Sequence, residues 1–329
     1  MRSALERIRD RSTVLLTLNY GAGQLLYRLG LRSHLSGATH RTHSVEDGAE
    51  YVTRVFHDYL AVSGLRADDL AGQRILEIGP GDNLGVALLF AAHGAADVTC
   101  LDRFAPARDE EKNRAIYQAV LAGLAPAART RAHEVLGANG LPGRPLHVRR
   151  DLAIEDAASA LPAGGYDGIV SRAVLEHVFD PAAAWASMNT LAAPGALLIH
   201  KIDFRNHGFY DSLHPLAFLK TPTWLWPWLS SPDPTLNRHR TSSWESLAIR
   251  DGYAPSIMVT HLSVETDELP LNGLRWPIDI TSRPEREALA RLRPHLARPF
   301  NTSTLDDLAV AGIFLVARKP GRRDMSPRE

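Results

Sequence analysis

Residues 74–90, RILEIGPGDNLGVALLF, constrain this chain more than any other stretch. An apolar run ends in Glu-Ile-Gly-Pro-Gly and passes directly into an amphipathic helix, which reads as strand, glycine turn, helix. Gly79 and Gly81 permit backbone geometry that a side chain would block, so the turn can lie flat against a ligand. Further on, a second apolar strand, DVTCLD, ends in Asp102, placed to accept hydrogen bonds from the two hydroxyls of a ribose. Together these describe a nucleoside site. A dinucleotide fingerprint would need a further glycine at the third position after Gly81, where Leu84 stands; Gly85 comes one residue late. Pro80 removes an N–H inside the turn, and Glu77 sets a carboxylate at the end of the first strand, which repels a pyrophosphate and favours a cationic ligand. A nicotinamide dehydrogenase is excluded on both counts.

From Arg74 onward strands and helices alternate, the pattern of a parallel sheet with right-handed crossovers. The pattern predicts strands at about 74–78, 98–102, 146–150, 167–171 and 196–202, then near 256–266 and 309–318, the last antiparallel. The expected fold class is α/β: a doubly wound, seven-stranded, mostly parallel, Rossmann-like sheet with an N-terminal helical extension and two insertions. Residues 1–70 would form a helical cover and 71–320 the nucleoside-binding domain, with insertions at 204–241 and 267–308 and a disordered tail at 321–329. Within the cover, Ser3 and Glu6 form a capping box. Val52, Val55, Phe56, Tyr59 and Leu60 follow the spacing of a buried helix face that ends at Gly64. Asp180-Pro181 is a helix start, and Ser242-Ser243-Trp244-Glu245 opens another helix as a capping box.

Further matches follow in order. After Glu77-Ile78-Gly79-Pro80-Gly81, of the form E-x-G-x-G, come the acidic strand end Asp102, the pair Asp151-Leu152 and the run YDGIVSRAVLEHVFDP. In these the chain resembles the class I S-adenosylmethionine (SAM) dependent methyltransferases of small-molecule type, well from Gln73 to Ile202 and loosely after Thr241. The resemblance implies SAM as cofactor, with Glu77 around its amino end and Gly79, Pro80 and Gly81 along its carboxypropyl and ribose portions. Asp102 would hold the ribose, Arg103 would pack along the adenine edge, and Asp151 and Leu152 would meet the adenine. Ser171 and Arg172 would lie near the methionine half, and His177 would pack on the cofactor without acid/base chemistry.

Methyl transfer from a sulfonium is an in-line displacement, so holding the nucleophile on the methyl axis in a water-poor pocket contributes most. A base is needed only where the nucleophile must lose a proton, and histidine is the natural candidate near neutral pH. The segment HKIDFRNHGFYDSLHP places His200, Asp203, His207, Tyr210, Asp211 and His214 directly after the fifth strand. Strand alternation sends Lys201 and Asp203 to one face and His200 and Ile202 to the other. His207 and His214, with Asp203, are therefore the expected catalytic residues. Tyr210, Trp224, Asn237, Arg238 and Arg240 are the expected substrate contacts, although the two arginines would serve equally to fasten the insertion to the domain. Trp224, Trp226 and Trp228 fit a core for the insertion, a lid or an interfacial patch. Asp203, His207 and His214 are competent metal ligands at a spacing that matches no metal motif, and no metal is expected.

Composition narrows the partners. Lys and Arg number 37, as do Asp and Glu, and no basic stripe supports a nucleic-acid substrate. Only four of the basic residues are Lys, an imbalance that carries no chemistry by itself. The single Cys100 excludes a disulfide framework within the chain and fits a cytoplasmic setting. TVLLTLNYGAGQLLYRLGL is interrupted by Asn19, Gln24 and Arg28, too polar to span a bilayer; a packed helix pair is expected and membrane contact is not. The expected function is methyl transfer to an oxygen or nitrogen of a small-molecule biosynthetic intermediate. The alternatives are SAM-dependent elimination, cyclisation or hydroxyl chemistry on the same fold, and a non-catalytic SAM-binding or scaffold protein.

Overall fold

The structure, a computed structural model, describes residues 21, 25–26, 43–104, 108–205, 215–230, 236–263 and 267–321. The first long element is α1, Val45–Ser63. Ser44 and Asp47 close a reciprocal capping box at its start, and Gly64 ends it at φ 71°, a left-handed conformation that favours glycine. Then come β1 Arg74–Ile78, α2 Gly85–Ala92, β2 Asp97–Asp102, α3 Glu110–Ala122, α4 Pro126–Val135, β3 Leu146–Arg150, β4 Tyr166–Arg172, α5 Pro181–Leu191 and β5 Ala192–Asp203. The first insertion holds α6, Trp226–Ser230, and is followed by α7 Thr241–Arg250 and β6 Ser256–Leu262. The second holds β7 Leu274–Arg275 and α8 Glu285–Leu292, after which α9 Leu305–Ala309 leads into β8 Val310–Arg318. The capping pair Ser3 and Glu6 and the polar apolar stretch around Asn19 lie, for the most part, outside the described residues.

The strands join in one sheet of order β3-β2-β1-β4-β5-β8-β6-β7. β1 to β5 run parallel, and β8 is antiparallel to both β5 and β6, so β6 shares the direction of the first five. The sheet has eight strands where seven were expected, because Leu274 and Arg275 of the second insertion add a short edge strand to β6. The chain runs outward from β1 through β2 to β3, then crosses back to β4 on the other side of β1. That reversal opens a crevice at the carboxyl ends of β1 and β4, where doubly wound sheets bind ligands.

Alternate residues of each strand feed two cores. On one face Leu76, Ile169, Leu198 and Ile202 pack with Trp185 and Met188 of α5 and Trp244 of α7. On the other, Ile75, Cys100, Val170, Ile199 and Phe314 pack with α2, α3 and the Val52, Val55, Phe56 and Tyr59 stripe of α1. The helix after the glycine turn is not amphipathic: all eight residues of α2 are buried, because α1 covers the side that would otherwise meet water. Gly85 makes that approach possible, since a Cβ there would lie 2.7 Å from Val52 Cγ1.

The start of α7 also differs from the expected capping box. Ser242 does not cap with Glu245; its amide and hydroxyl both donate to Asp307, at 3.0 and 2.7 Å, while Glu245 accepts from the Trp276 indole at 2.8 Å. A buried carboxylate from α9 thus satisfies the helix terminus in place of a local side chain, and it also lies near the buried Arg240 guanidinium. Asp307→Ala should destabilise the protein by at least about 2 kcal/mol, the usual scale for a lost helix cap with added loss of a buried charge partner. Glu245→Ala should cost less than half as much, and urea denaturation of the two variants compares them.

Candidate functional site

The turn between β1 and α2 has the left-handed glycines its sequence requires. Gly79 and Gly81 sit at φ 68° and 69°, and a Cβ on Gly79 would come within 2.4 Å of Val174 Cγ2. The Gly79 amide donates to Leu101 O at 2.7 Å, which fastens the turn to the end of β2. Beyond Pro80 and Gly81 the loop is pinned from behind: Asn113 donates to Asp82 O at 2.7 Å, Asn83 to Asn113 at 2.7 Å, and the Leu84 amide to the Tyr117 hydroxyl at 3.1 Å. These buried bonds come from α3 and fix the backbone before any ligand arrives.

Two carboxylates flank this turn. Glu77, at the end of β1, is buried, and its one hydrogen bond among the described residues is with the Cys100 thiol at 3.7 Å. Burial raises its pKa to about 7, against the opposing pull of the Cys100 bond and the Arg108 charge. Asp102, at the end of β2, accepts from the Phe104 amide at 2.9 Å and from the Gly81 amide, yet burial still raises its pKa to about 6. Arg108 reaches in from the chain before α3, its Nη2 3.4 Å from Gly81 O, and its buried Nε has no hydrogen-bond partner among the described residues. A buried carboxylate held only by a thiol, beside an unbonded guanidinium nitrogen, fits a ligand that brings both a cation and an acceptor atom into this crevice.

The adjoining wall is built by residues after β2, β3 and β4. Asp151 is exposed at φ 58°, and the Leu152 amide donates to Asp102 O at 3.4 Å. Arg103 pairs with Glu155 at 3.4 Å and lies 3.9 Å from the centroid of the Phe179 ring. Phe179, which the sequence does not single out, thereby sets a half-exposed ring against the Arg103 guanidinium, and its amide donates to Glu155 at 2.8 Å. Ser171 turns the other way. Its hydroxyl meets His200 Nδ1 at 2.8 Å inside the sheet, and burial pushes the His200 pKa down to about 3. His177 lies on the short turn Leu175–His177, and Glu176 beside it is buried, accepting from the Asp203 amide at 3.3 Å.

Arg172 belongs to a second cluster, on the face covered by α1. Its Nη1 donates to Asp58 of α1 at 2.7 Å. It pairs in register with Lys201 of β5, which makes an ion pair with Glu268 of the second insertion. Asp203 is engaged by Arg205 at 2.7 Å. His261 reaches the same face through a bulge. Val259 pairs with Ile313 and packs in the opposite core, so strict alternation would send His261 there too; one extra residue, Thr260, turns it instead onto Gly312. Asp203 pairs with Gly312 from the other side, and a Cβ on Gly312 would come within 3.0 Å of His261 Nδ1. Burial lowers the His261 pKa, with Arg205 and Lys201 acting in the same sense and Asp203 and Glu268 against.

The remaining expected residues are placed elsewhere. His207, Tyr210 and His214 lie outside the described residues. Asn237 donates to Leu175 O and Val178 O at 2.6 and 3.2 Å, and Arg238 to Thr221 O at 2.7 Å while stacking on Trp226. Arg240 is buried against the carbonyls of Asp307, Leu308 and Val310. These three side chains fasten the first insertion, Asn237 to the short turn after β4, Arg238 within the insertion and Arg240 to the segment that enters β8. Trp224 and Trp228 are exposed and Trp226 is buried, so the three tryptophans do not form one surface. Arg108, Phe179, Glu268, His261 and Asp58 escape a sequence reading because each acquires its place through a contact remote in sequence.

A family model described as a methyltransferase domain matches residues 49–262. No curated protein matches the chain. Among solved structures the chain is similar to an S-adenosylmethionine dependent methyltransferase from Mesorhizobium loti, at 17% identity and a TM-score of 0.39, covering 80% of this chain and 97% of that one. It is also similar to a phosphoethanolamine N-methyltransferase of Haemonchus contortus in complex with S-adenosyl-L-methionine, at 15% identity and a TM-score of 0.42, covering 84% and 56%.

The raised pKa of Glu77 carries a pH signature. Below pH 4.5 the carboxyl is neutral in both folded and unfolded chains; as pH climbs to about 7 only the unfolded chain has released its proton, so folding is progressively disfavoured. Glu77→Gln should therefore stabilise the ligand-free protein at pH 8 by up to about 3 kcal/mol and leave it unchanged at pH 4.5. A cationic cofactor needs the ionised form, so SAM should bind about tenfold more weakly at pH 6 than at pH 8, and the Gln variant should keep only the roughly twofold part that comes from Asp102. Scanning calorimetry and SAM titration at each pH read the two effects.

Proposed function

The chain belongs to the methyltransferase-domain family and is a SAM-dependent methyltransferase, and from that premise we propose that it methylates an oxygen or nitrogen of a small-molecule biosynthetic intermediate. The observation that carries this reading is the direct adjoining of two sites on one sheet edge. The glycine turn with Glu77 and Asp102 lies beside the cluster formed by Arg172, Lys201, Asp203 and His261. When bound, SAM supplies an electrophilic methyl group on a sulfonium, whose electron pair returns to sulfur on transfer.

The protein's own contribution is holding, excluding water and moving a proton. Glu77 opposes the positive charge of the methionine end, Asp102 accepts from the ribose hydroxyls, and Leu152, Arg103 and Phe179 wall the adenine. Gly79, Pro80 and Gly81 keep the turn low enough for close approach, with Asp151 at the rim. α1 roofs the edge with the Val52 to Tyr59 stripe, so charge moves in a water-poor setting. A hydroxyl, or an amine that arrives as ammonium, must lose a proton, and the group that takes it must itself be unprotonated at working pH. His207 and His214, on the segment after Asp203, are candidates by their position in the chain. Among the described residues His261 is the candidate: its pKa lies below the ordinary histidine value, so the imidazole is neutral near pH 7 and open to a proton.

Each of the three histidines is to be replaced by Asn and assayed for S-adenosylhomocysteine formation against a panel of phenols, alcohols and amines. The base should be recognised by a fall in kcat of about 10²- to 10⁴-fold with SAM affinity nearly unchanged. Asp102→Ala should instead weaken SAM binding at least about tenfold, on the scale of a lost hydrogen bond to a charged group. A loss of SAM affinity in the histidine variants equal to that of Asp102→Ala would overturn this division of labour.

A further inference from the structure

Arg172 and Lys201 are cations fixed side by side on adjacent parallel strands, with side chains only 11% and 10% exposed. Lys201 Nζ lies 5.6 Å from the centroid of the Phe314 ring, so the floor beneath it is apolar. Two like charges on directly paired positions in a half-dry setting repel, and Arg172 indeed helps burial to hold the Lys201 pKa below its ordinary value. Buried ion pairs seldom improve stability over apolar residues of similar size. Their presence at the ligand edge of the sheet therefore calls for another explanation.

The two counterions differ in how they are held. Asp58 is 18% exposed on α1, a helix packed along its length, and takes one of the five donors that a guanidinium offers. Glu268 comes from the second insertion, and its side chain is 42% exposed even while paired. Returning that carboxylate to water costs little, whereas neither cation can leave its strand. The exchangeable partner is thus an anion. A cationic acceptor would meet two fixed positive charges, and a neutral one would leave Lys201 unpaired on displacing Glu268.

We propose that Arg172 and Lys201 form an anion subsite for the methyl acceptor, which carries a carboxylate or phosphate group that takes the place Glu268 fills. The inference rests on the methyltransferase reading and narrows it to acceptors with one negative group near the nucleophile. A planar guanidinium beside an ammonium suits both oxyanions, the first by paired donors and the second by point charge. The His261 imidazole, turned onto the same face by its bulge, then faces the bound molecule from the β6 side.

The test titrates the full chain, loaded with S-adenosylhomocysteine, with benzoate, inorganic phosphate, benzamide and benzylamine. Wild type, Glu268→Ala, Lys201→Arg and Lys201→Met are compared, the last two also in the Glu268→Ala background. Glu268→Ala should bind benzoate or phosphate at least tenfold more tightly than wild type, with no gain for benzamide or benzylamine, and the better anion identifies the acceptor's group. Lys201→Arg should retain the gain and Lys201→Met abolish it. Methionine replaces a buried ammonium with an apolar chain of similar length, and unchanged S-adenosylhomocysteine affinity verifies that the variant is folded. Normal S-adenosylhomocysteine binding with no anion gain, with an equal gain for benzamide, or with a gain that survives Lys201→Met overturns the subsite alone. Failure of the wild type to bind S-adenosylhomocysteine overturns the methyltransferase reading and the subsite with it.

Discussion

A parallel sheet covered on both faces can keep polar side chains almost nowhere except at the ends of its strands, and the crevice at the topological reversal lies at the carboxyl ends. Everything about this site depends on that constraint. Glu77, Asp102, Arg172, Lys201 and Asp203 all fall within the last three residues of their strands, and the period of two decides which of them meet. Glu77, Arg172, Lys201 and Asp203 fall on the face that α1 covers, whereas Ser171 and His200 fall on the other and bond to each other inside the sheet. The cofactor turn and the charged cluster therefore adjoin along one edge without any loop having to bring them together.

The roof is as consequential as the floor. α1 precedes the nucleoside-binding unit in the chain but packs on α2, α3 and the sheet as part of the same core. Gly85 admits Val52, Asp58 holds Arg172, and Tyr59 sits fully buried near Glu77. A helix placed there makes the medium around Glu77 poor in water, which is why that carboxyl holds its proton to about pH 7. The same dryness strengthens the attraction between the ionised group and a cation. The cost of burying Glu77 in the empty protein and its grip on a charged cofactor are thus one property seen in two states.

Much of this was legible in the sequence where the chemistry is local. The glycine turn, the strand ends at Glu77 and Asp102, the Asp180-Pro181 helix start and the α1 stripe ending at Gly64 all follow from neighbours within a few residues. What stayed hidden is what depends on distant partners. Ser242 and Glu245 have the spacing of a capping box, but Asp307, remote in sequence, takes the Ser242 bonds. Asn237, Arg238 and Arg240 display donors without revealing the carbonyls that accept from them. Glu268 has no motif of its own and gains a meaning only beside Lys201. The extra edge strand at Leu274 and Arg275 is too short to carry a periodic signal.

The bulge at Thr260 adds a different kind of information to the chain. In a regular strand the residue type at each position says what the edge offers, because the face is settled by parity. Here parity itself is set by a single inserted residue, and the imidazole of His261 faces the ligand edge only because the count from Val259 is off by one. The chemistry of this edge is therefore written partly in which residue the ladder skips. Were Thr260 paired in a regular ladder, it would take the histidine's place opposite Gly312 and send the imidazole into the other core while leaving every side chain type in place, a change in reactivity that no reading of composition would reveal.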